Sequence, residues 1–324
     1  MQSLTCWVVT EGAAGMENQC LGLAEALGLD PVVKRVRLRA PWRQLVPYLR
    51  WGLDRAAGPA GDPIAPPWPD LVISCGRQGA GVSAGVRRLS GGRTFTVHIQ
   101  DPQVSTRHFD LIVAPEHDRL TGSNVVVTRG ALHRVTQARL AADAARAAPR
   151  VAHLPSPRVA VLIGGSNAVY RLTPEIIADV ADKLAALSGA YGAGLLVTPS
   201  RRTDPAAAAV LRRRLAGLPA EIWDGNGENP YFAYLGLADA VVVTCDSVSM
   251  VTEAASTAKP LYVIMLEGGS PKFQAFHEGL FRDGIARPFT GELDRWNYRP
   301  IDDMARVVEA VRRGLATKGA ATRG

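Results

Sequence analysis

Several features are scarce in this chain of 324 residues, and each scarcity removes a class of function. The four cysteines, Cys6, Cys20, Cys75 and Cys245, form no CxxC pair. Cys6, Cys75 and Cys245 each fall in or just after an expected strand, where a thiol serves as a small core hydrophobe. A disulfide scaffold is therefore excluded and a reducing compartment is expected. The six histidines, at 98, 108, 117, 133, 153 and 277, are too dispersed for a close metal cluster, so no metal site is expected. The dinucleotide fingerprint GxGxxG is absent, which weighs against a standard nicotinamide enzyme. No apolar run reaches the roughly 18 residues of a spanning helix. Trp7, Val8 and Val9 give way at once to a polar, glycine-rich segment, so no signal peptide is expected.

The charge balance is modestly basic, with a formal net charge of +7 from 37 Lys and Arg against 30 Asp and Glu. That excess suits acidic ligands or a membrane surface. The arginines are scattered and no basic run is interleaved with aromatics, so nucleic acid is an improbable partner. One cluster stands apart: Trp42, Tyr48, Leu49 and Trp51 lie near Arg37, Arg39, Arg43 and Arg50. Such a mixture can anchor at an interface, or it can pack against a neighbouring domain. The expected location is cytoplasmic, with peripheral contact at the inner face of the membrane left open.

What the chain has in abundance is short β-branched runs separated by helical patterns. Strands are expected at 4–10, 32–38, 70–74, 94–99, 111–114 and 125–127, then at 159–163, 194–198, 221–223, 241–243 and 261–265. That alternation predicts an α/β protein with mainly parallel sheets covered on both faces. The length favours two domains. The Ala- and Pro-rich segment 141–157 is the expected link. It divides a domain at 1–150 from one at 151–300, with a terminal helix and flexible tail at 301–324 packing back toward the first.

In parallel open sheets, ligands gather beyond the carboxyl ends of strands. Six loops fall there: 11–19, 75–79, 100–103, 164–171, 198–203 and 244–253. In the first half, Gly12 and Gly15 permit close approach and Asn18 offers an amide, although a plain strand–helix turn has the same composition. Arg77 and Gln78 follow a strand and are candidates for an acceptor or phosphate, or for hydrogen bonds between domains, whereas Gln100, directly after the strand ending at 99, is expected to face the ligand on the acceptor side. Glu17, Asp101 and His117 are the candidates for a general base, and a structural role is equally open for His117.

The second half carries the stronger signals. The N–H groups of Gly164, Gly165, Ser166 and Asn167 are expected to embrace a diphosphate, with Tyr170 and Arg171 adding stacking and charge. Ser200 and Arg201 occupy the next loop, where arginine can bind phosphate bidentately; a solvated charge pair is the other reading of Arg201 and Arg202. In Val241-Val242-Val243-Thr244-Cys245-Asp246-Ser247-Val248-Ser249-Met250-Val251-Thr252-Glu253 a buried strand opens into a helix. Free N–H groups and the helix dipole at such a start favour phosphate near Ser247 and Ser249. Glu253 can accept hydrogen bonds from a diol such as ribose. The expected ligand is a nucleotide or a phosphorylated sugar.

At these residues the chain resembles the mitochondrial fission ELM1 family. The resemblance rests on Glu11-Gly-Ala-Ala-Gly-Met-Glu-Asn18, Cys75-Gly-Arg-Gln78, His98-Ile-Gln-Asp-Pro102, Gly164-Gly-Ser-Asn167, Thr198-Pro-Ser-Arg201 and Thr244-Cys-Asp-Ser-Val-Ser-Met250. More distantly, the layout resembles the GT-B glycosyltransferases, including MurG-like enzymes. That resemblance implies two Rossmann-like domains with mainly parallel sheets facing across a cleft. It also implies a nucleotide-sugar donor held by the C-terminal domain, with Ser247 and Ser249 at phosphate and Glu253 at ribose. The loop at 12–18 would face the acceptor, a small molecule or a lipid-linked one. The Gly-Gly-His form of the MurG acceptor loop is missing, since Met16 and Glu17 follow Gly15.

The expected function is accordingly a metal-independent sugar transfer, with the nucleotide sugar as substrate and no permanently bound cofactor. The alternatives are a non-catalytic nucleotide-binding adaptor in membrane or division processes, and an epimerase-like enzyme acting on a nucleotide sugar.

Overall fold

The β-branched runs form strands wherever they are flanked by glycine or proline turns, and the two halves build two separate sheets. The computed structural model describes residues 4–46 and 56–321. It divides into two units: one runs to Arg134 and resumes at Asp302, and the other spans Val135–Ile301.

The first unit holds β1 (Cys6–Thr10), α1 (Ala14–Ala26), β2 (Val32–Arg35), α2 (Trp42–Leu45), β3 (Leu71–Cys75), α3 (Arg77–Leu89), β4 (Phe95–Ile99), β5 (Leu111–Pro115) and β6 (Val125–Thr128). Its six strands are all parallel in the order β2-β1-β3-β4-β5-β6. Chain direction across the sheet reverses between β1 and β3, which is the topological switch point of this order. β1, β3, β4 and β5 are buried along their whole length, as expected of a parallel sheet covered on both faces. Gly79 in α3 makes this cover possible: a Cβ there would stand 2.9 Å from the carbonyl of Val9.

The second unit begins with α4 (Gln137–Ala147) and continues through β7 (Arg158–Ile163), β8 (Tyr170–Arg171), α5 (Pro174–Tyr191), β9 (Gly194–Pro199), α6 (Pro205–Arg214) and β10 (Ala220–Ile222). It is completed by α7 (Tyr231–Leu237), β11 (Ala240–Thr244), α8 (Val248–Ala255), β12 (Leu261–Ile264), β13 (Glu267–Gly268), α9 (Pro271–Arg282) and β14 (Ala286–Pro288). The large sheet is parallel in the order β10-β9-β7-β11-β12-β14. Counted from β7, this is the Rossmann order 3-2-1-4-5-6, with its switch point between β7 and β11. β8 and β13 form a small antiparallel pair that the sequence pattern does not signal. The apolar core of this unit is continuous from Leu140 on α4 to Ile301.

Two boundaries differ from expectation. The units part at Arg134/Val135 rather than at 150, because α4 packs on α7 inside the second unit. Gly236 on α7 lies so close to α4 that a Cβ would stand 2.5 Å from the Leu140 carbonyl and 3.0 Å from the Ala144 Cβ. In the segment expected to be a link, Val151 and Leu154 are buried in the second core. The terminal helix α10 (Met304–Ala321) takes up most of the segment 301–324, where a flexible tail was expected after the helix, and completes the first unit. It places Val307, Val308 and Val311 in that unit's core beside Phe95, and the Lys318 ammonium bonds the Thr94 carbonyl and Asp110.

The α4–α7 crossing yields a prediction. A Gly→Ala change in a helix ordinarily gains up to about 1 kcal/mol, whereas forcing a methyl into close packing costs ~1–3 kcal/mol. The obstacle at 236 is a backbone carbonyl, which cannot swing aside. Gly236→Ala should therefore lower the urea midpoint of the second unit's unfolding; an unchanged or raised midpoint would show that the crossing has slack.

Candidate functional site

The site in the second unit is built at the switch point, where the loops after β7, β9 and β11 converge. The Gly164 N–H donates to Thr244 Oγ1 at 2.7 Å, and the Gly165 N–H donates to Asp246 Oδ2 at 3.1 Å. These two amides, expected to embrace a diphosphate, are spent on side chains of the β11–α8 turn. Both glycines are required by crowding. A Cβ on Gly164 would collide with the Asp246 carboxylate, and one on Gly165 with the backbone carbonyl of Arg202. Asn167 closes the same loop: its Oδ1 accepts from Val169 and Tyr170 N–H, and its Nδ2 donates to the Asp246 carbonyl. The Ser166 hydroxyl accepts from the Leu172 N–H. Arg171 lies on β8, exposed and in register with Glu267.

Asp246 is the hub that the sequence pattern did not single out. Its side chain is 0% exposed, yet it carries the only carboxylate in this turn. Besides Gly165, its Oδ2 accepts from the Arg202 guanidinium at 2.7 Å, and Arg202 also reaches the Gly165 carbonyl at 3.3 Å. Arg202 keeps 42% of its side chain exposed. Of the adjacent arginines, the second is thus the anchored one. Ser200 and Arg201 instead line a cavity of about 280 Å³ with Thr203, Arg212, Trp223 and Asp224. Of these groups the Arg201 guanidinium is the one that can offer charge-assisted hydrogen bonds to an anion, since the Trp223 indole donates to the Asn226 carbonyl, Thr203 donates to the Ile163 and Gly164 carbonyls and the Asp224 carboxylate lines the same cavity.

On the helix side, Ser247 is the N-cap of α8, its Oγ accepting from the Met250 N–H at 3.3 Å. Ser249 is half-buried in the first turn. Glu253 follows one turn later, 5% exposed, and accepts a 2.6 Å hydrogen bond from the Tyr231 hydroxyl of α7. Burial raises the Glu253 carboxyl to about 7, against the pull of Tyr231 and of Arg139 on α4. The Tyr231 phenol is pushed well above its ordinary range by the same burial and by Glu253. Behind the turn, His277 of α9 is buried with Nε2 2.9 Å from the Cys245 carbonyl, to which it donates. Burial lowers its pKa, so the ring is a neutral structural donor.

In the first unit the corresponding switch point is filled by a carboxylate of the chain itself. Glu11, just after β1, accepts from the Gln78 N–H at 2.9 Å and from Gln78 Nε2 at 3.0 Å. Gln78 Oε1 in turn accepts from the Leu38 N–H. One first-turn N–H of α3 is thereby satisfied internally. Gly12 takes a positive φ of 84° and its N–H caps back on Thr10. Gly15 is exposed, its carbonyl accepting from Gln19, while Asn18 is half-buried. Arg77 donates to the Gln44 carbonyl at 2.7 Å, and Gln100, also at positive φ, donates its N–H to the Val113 carbonyl.

The three candidate bases are all engaged. Glu17 holds Arg35 in a two-pronged ion pair at 2.8 and 2.9 Å. Asp101 stabilises its own turn through the Gln103 N–H. His117, 6% exposed at its side chain, sits 3.9 Å from Asp118. Among the described residues, no three His, Cys, Asp or Glu side chains gather in a form that could hold a metal ion.

Residues 14–315 match the family described as Mitochondrial fission ELM1. The chain belongs to the mitochondrial fission ELM1 family. It is 28% identical to the Mitochondrial fission protein ELM1 of Arabidopsis thaliana over 96% of this chain and 91% of the relative. In fold, this ELM1-family chain is similar to the UDP-GlcNAc 2-epimerase of Methanocaldococcus jannaschii, with a TM-score of 0.55 at 11% identity over 96% of this chain and 100% of that one. It is also similar to the glycotransferase of kitacinnamycin, with a TM-score of 0.52 at 14% identity over 98% and 96% of the two chains. At such identities the likeness is one of fold: two mostly parallel sheets flanked by helices, as in GT-B-like tandem Rossmann domains.

The buried acid gives a pH prediction for this family member. A carboxyl raised from 4.5 to about 7 on folding binds its proton more tightly in the native state. Its contribution is full below pH 4.5 and is lost as pH rises through 7, at most ~3 kcal/mol. Glu253→Gln should flatten the decline in unfolding free energy between these limits. Parallel stability curves for the two proteins would show that Glu253 is ionised throughout.

Proposed function

We propose that this chain is a nucleotide-binding adaptor: it takes up a nucleoside diphosphate or nucleotide sugar in its second unit and does not turn it over. One observation carries the reading. At the switch point between β7 and β11 the partly exposed Arg202 guanidinium is tied to Asp246 beside the N-cap Ser247 of α8, while Glu17, Asp101 and His117 are each committed to contacts within the first unit. Ligand recognition is thus furnished more fully than proton transfer, which needs a base within hydrogen-bond reach of the substrate.

In this reading, Ser247 and Ser249 at the start of α8 meet the phosphates through the first-turn amides and the helix dipole. Arg201 and Arg202 supply charge from the β9–α6 loop. Glu253 accepts the ribose hydroxyls and ionises as they enter, because a carboxylate accepts two donors where the neutral acid accepts fewer. A role in organelle or membrane division follows the name of the Arabidopsis relative. An adaptor of this kind presents two states to a partner, with and without nucleotide.

The test is a donor panel (UDP, GDP and ADP with their sugar conjugates) followed by calorimetry and product analysis. Saturable binding without product is the expected result. A transferred sugar or an inverted sugar centre would replace the adaptor with a transferase or an epimerase. Glu253→Ala should weaken the nucleoside diphosphate by about 10- to 100-fold, the loss of hydrogen bonds to a charged group. Arg201→Ala should weaken the diphosphate more than the bare nucleoside. Equal affinities of wild type and either variant would remove that residue from the site.

A further inference from the structure

Beyond the nucleotide site, the first unit carries a group of arginines that none of these contacts explains. After β2 the chain stays extended to residue 39. Val36 and Leu38 point into a small core with Trp7, Val46 and Ile64, and Arg37 and Arg39 project from the opposite, exposed face. The sheet-edge hydrogen bonds here are covered by the returning segment: Gly58 N–H donates to the Arg37 carbonyl, and Arg39 N–H donates to the Ala56 carbonyl. The backbone is thus closed to strand pairing while the guanidinium groups remain outside. Alternate residues on a strand repeat about every 6.6 Å, so Arg37 and Arg39 form a short row. The row continues onto α2, where Arg43 is exposed and Arg39 stands 5.7 Å from the centre of the Trp42 ring. Arg77 reaches in from α3 to the Gln44 carbonyl. Next to them Leu45 is 50% exposed.

Among the described residues, none of Arg37, Arg39, Arg43 and Arg77 is paired with a carboxylate. The neighbouring Arg35 differs, being neutralised by Glu17 with Asp62 close by. Four guanidinium groups with no carboxylate partner among the described residues, beside an exposed leucine and a half-buried tryptophan, match what an anionic bilayer surface takes up: charge at headgroup level and an apolar side chain just beneath. A single-stranded nucleic acid would call for exposed stacking platforms along the row, and Trp42 is instead half-buried under Arg39.

We infer that this face, formed by Arg37, Arg39, Arg43, Arg77 and Leu45, docks the protein on an anionic phospholipid membrane. The expected cluster included Tyr48, Leu49, Arg50 and Trp51, which lie outside the described residues. Arg77, expected at an acceptor or phosphate, joins the face instead.

The experiment is co-sedimentation of the full chain with vesicles of phosphatidylcholine alone and of phosphatidylcholine mixed with phosphatidylglycerol, over a range of salt. Binding to the mixed vesicles only, falling as salt rises, is expected. Each basic residue at such a surface is worth about a fivefold gain in partition. Arg37→Ala, Arg39→Ala and Arg43→Ala together should therefore lower partition on the order of a hundredfold. Leu45→Ser should weaken binding while leaving the salt dependence unchanged. A control triple of equal charge, Arg213→Ala, Arg295→Ala and Arg312→Ala, should leave binding near wild type. The inference is overturned if wild type binds neither vesicle or both equally, or if the control triple loses as much. It is also overturned if a DNA duplex or single-stranded RNA competes the protein off the mixed vesicles through the same arginines.

Discussion

One buried carboxylate organises the second unit. Asp246 joins the glycine loop after β7, the arginine loop after β9 and the start of α8, through Gly165, Arg202 and its own chain. Such a charge is costly to bury unless paired, and here a partner and a backbone donor offset it. The arrangement explains why residues 164 and 165 are glycine: the space a Cβ would occupy is already taken by the carboxylate and by the Arg202 backbone. A glycine-rich turn after a first strand is commonly read as a phosphate cradle. Here its crowding comes from within the chain.

The two units solve the same problem in related ways. Each has a parallel sheet whose strand order reverses, and each puts an acidic side chain at the reversal, Glu11 in one and Asp246 in the other. Glu11 accepts the Gln78 N–H and side-chain amide at the first turn of α3, so an anion there would meet a carboxylate. Asp246 instead ties down a guanidinium whose other face meets solvent, and it leaves the α8 start to Ser247 and Ser249. The second unit thus keeps a partly exposed guanidinium beside the start of α8, where the first unit has a carboxylate at the start of α3.

Much of this architecture was legible from residue order. Runs such as Val241-Val242-Val243 and Leu71-Val72-Ile73 are buried strands in an α/β alternation, and their positions were read to within a few residues. The unit boundary was not, because α4 is an Ala-rich helix whose single buried Leu140 gives a weak apolar signal, and its membership is decided by contact with Gly236. Glu253 stood out by its place after Ser247 and Ser249. Its partner Tyr231 lies 22 residues earlier, on a helix entrance where an aromatic reads as core. Asp246 stayed hidden for a similar reason: a carboxylate after a strand looks like an ordinary solvated turn until Arg202 is seen reaching across. Local pattern marks elements well, whereas pairings across sequence distance depend on how helices and loops pack.

The way α10 returns to the first unit bears on how the protein is made. Domains emerging from a ribosome generally fold in the order of their synthesis. Here the earlier sheet waits, because Val307, Val308 and Val311 cover part of its core and are translated only after the whole second unit. The second unit, complete by Ile301, has all its own segments at hand sooner. Nascent chains therefore carry an unfinished first unit with exposed apolar surface until α10 has emerged, a period in which chaperone contact has a defined target.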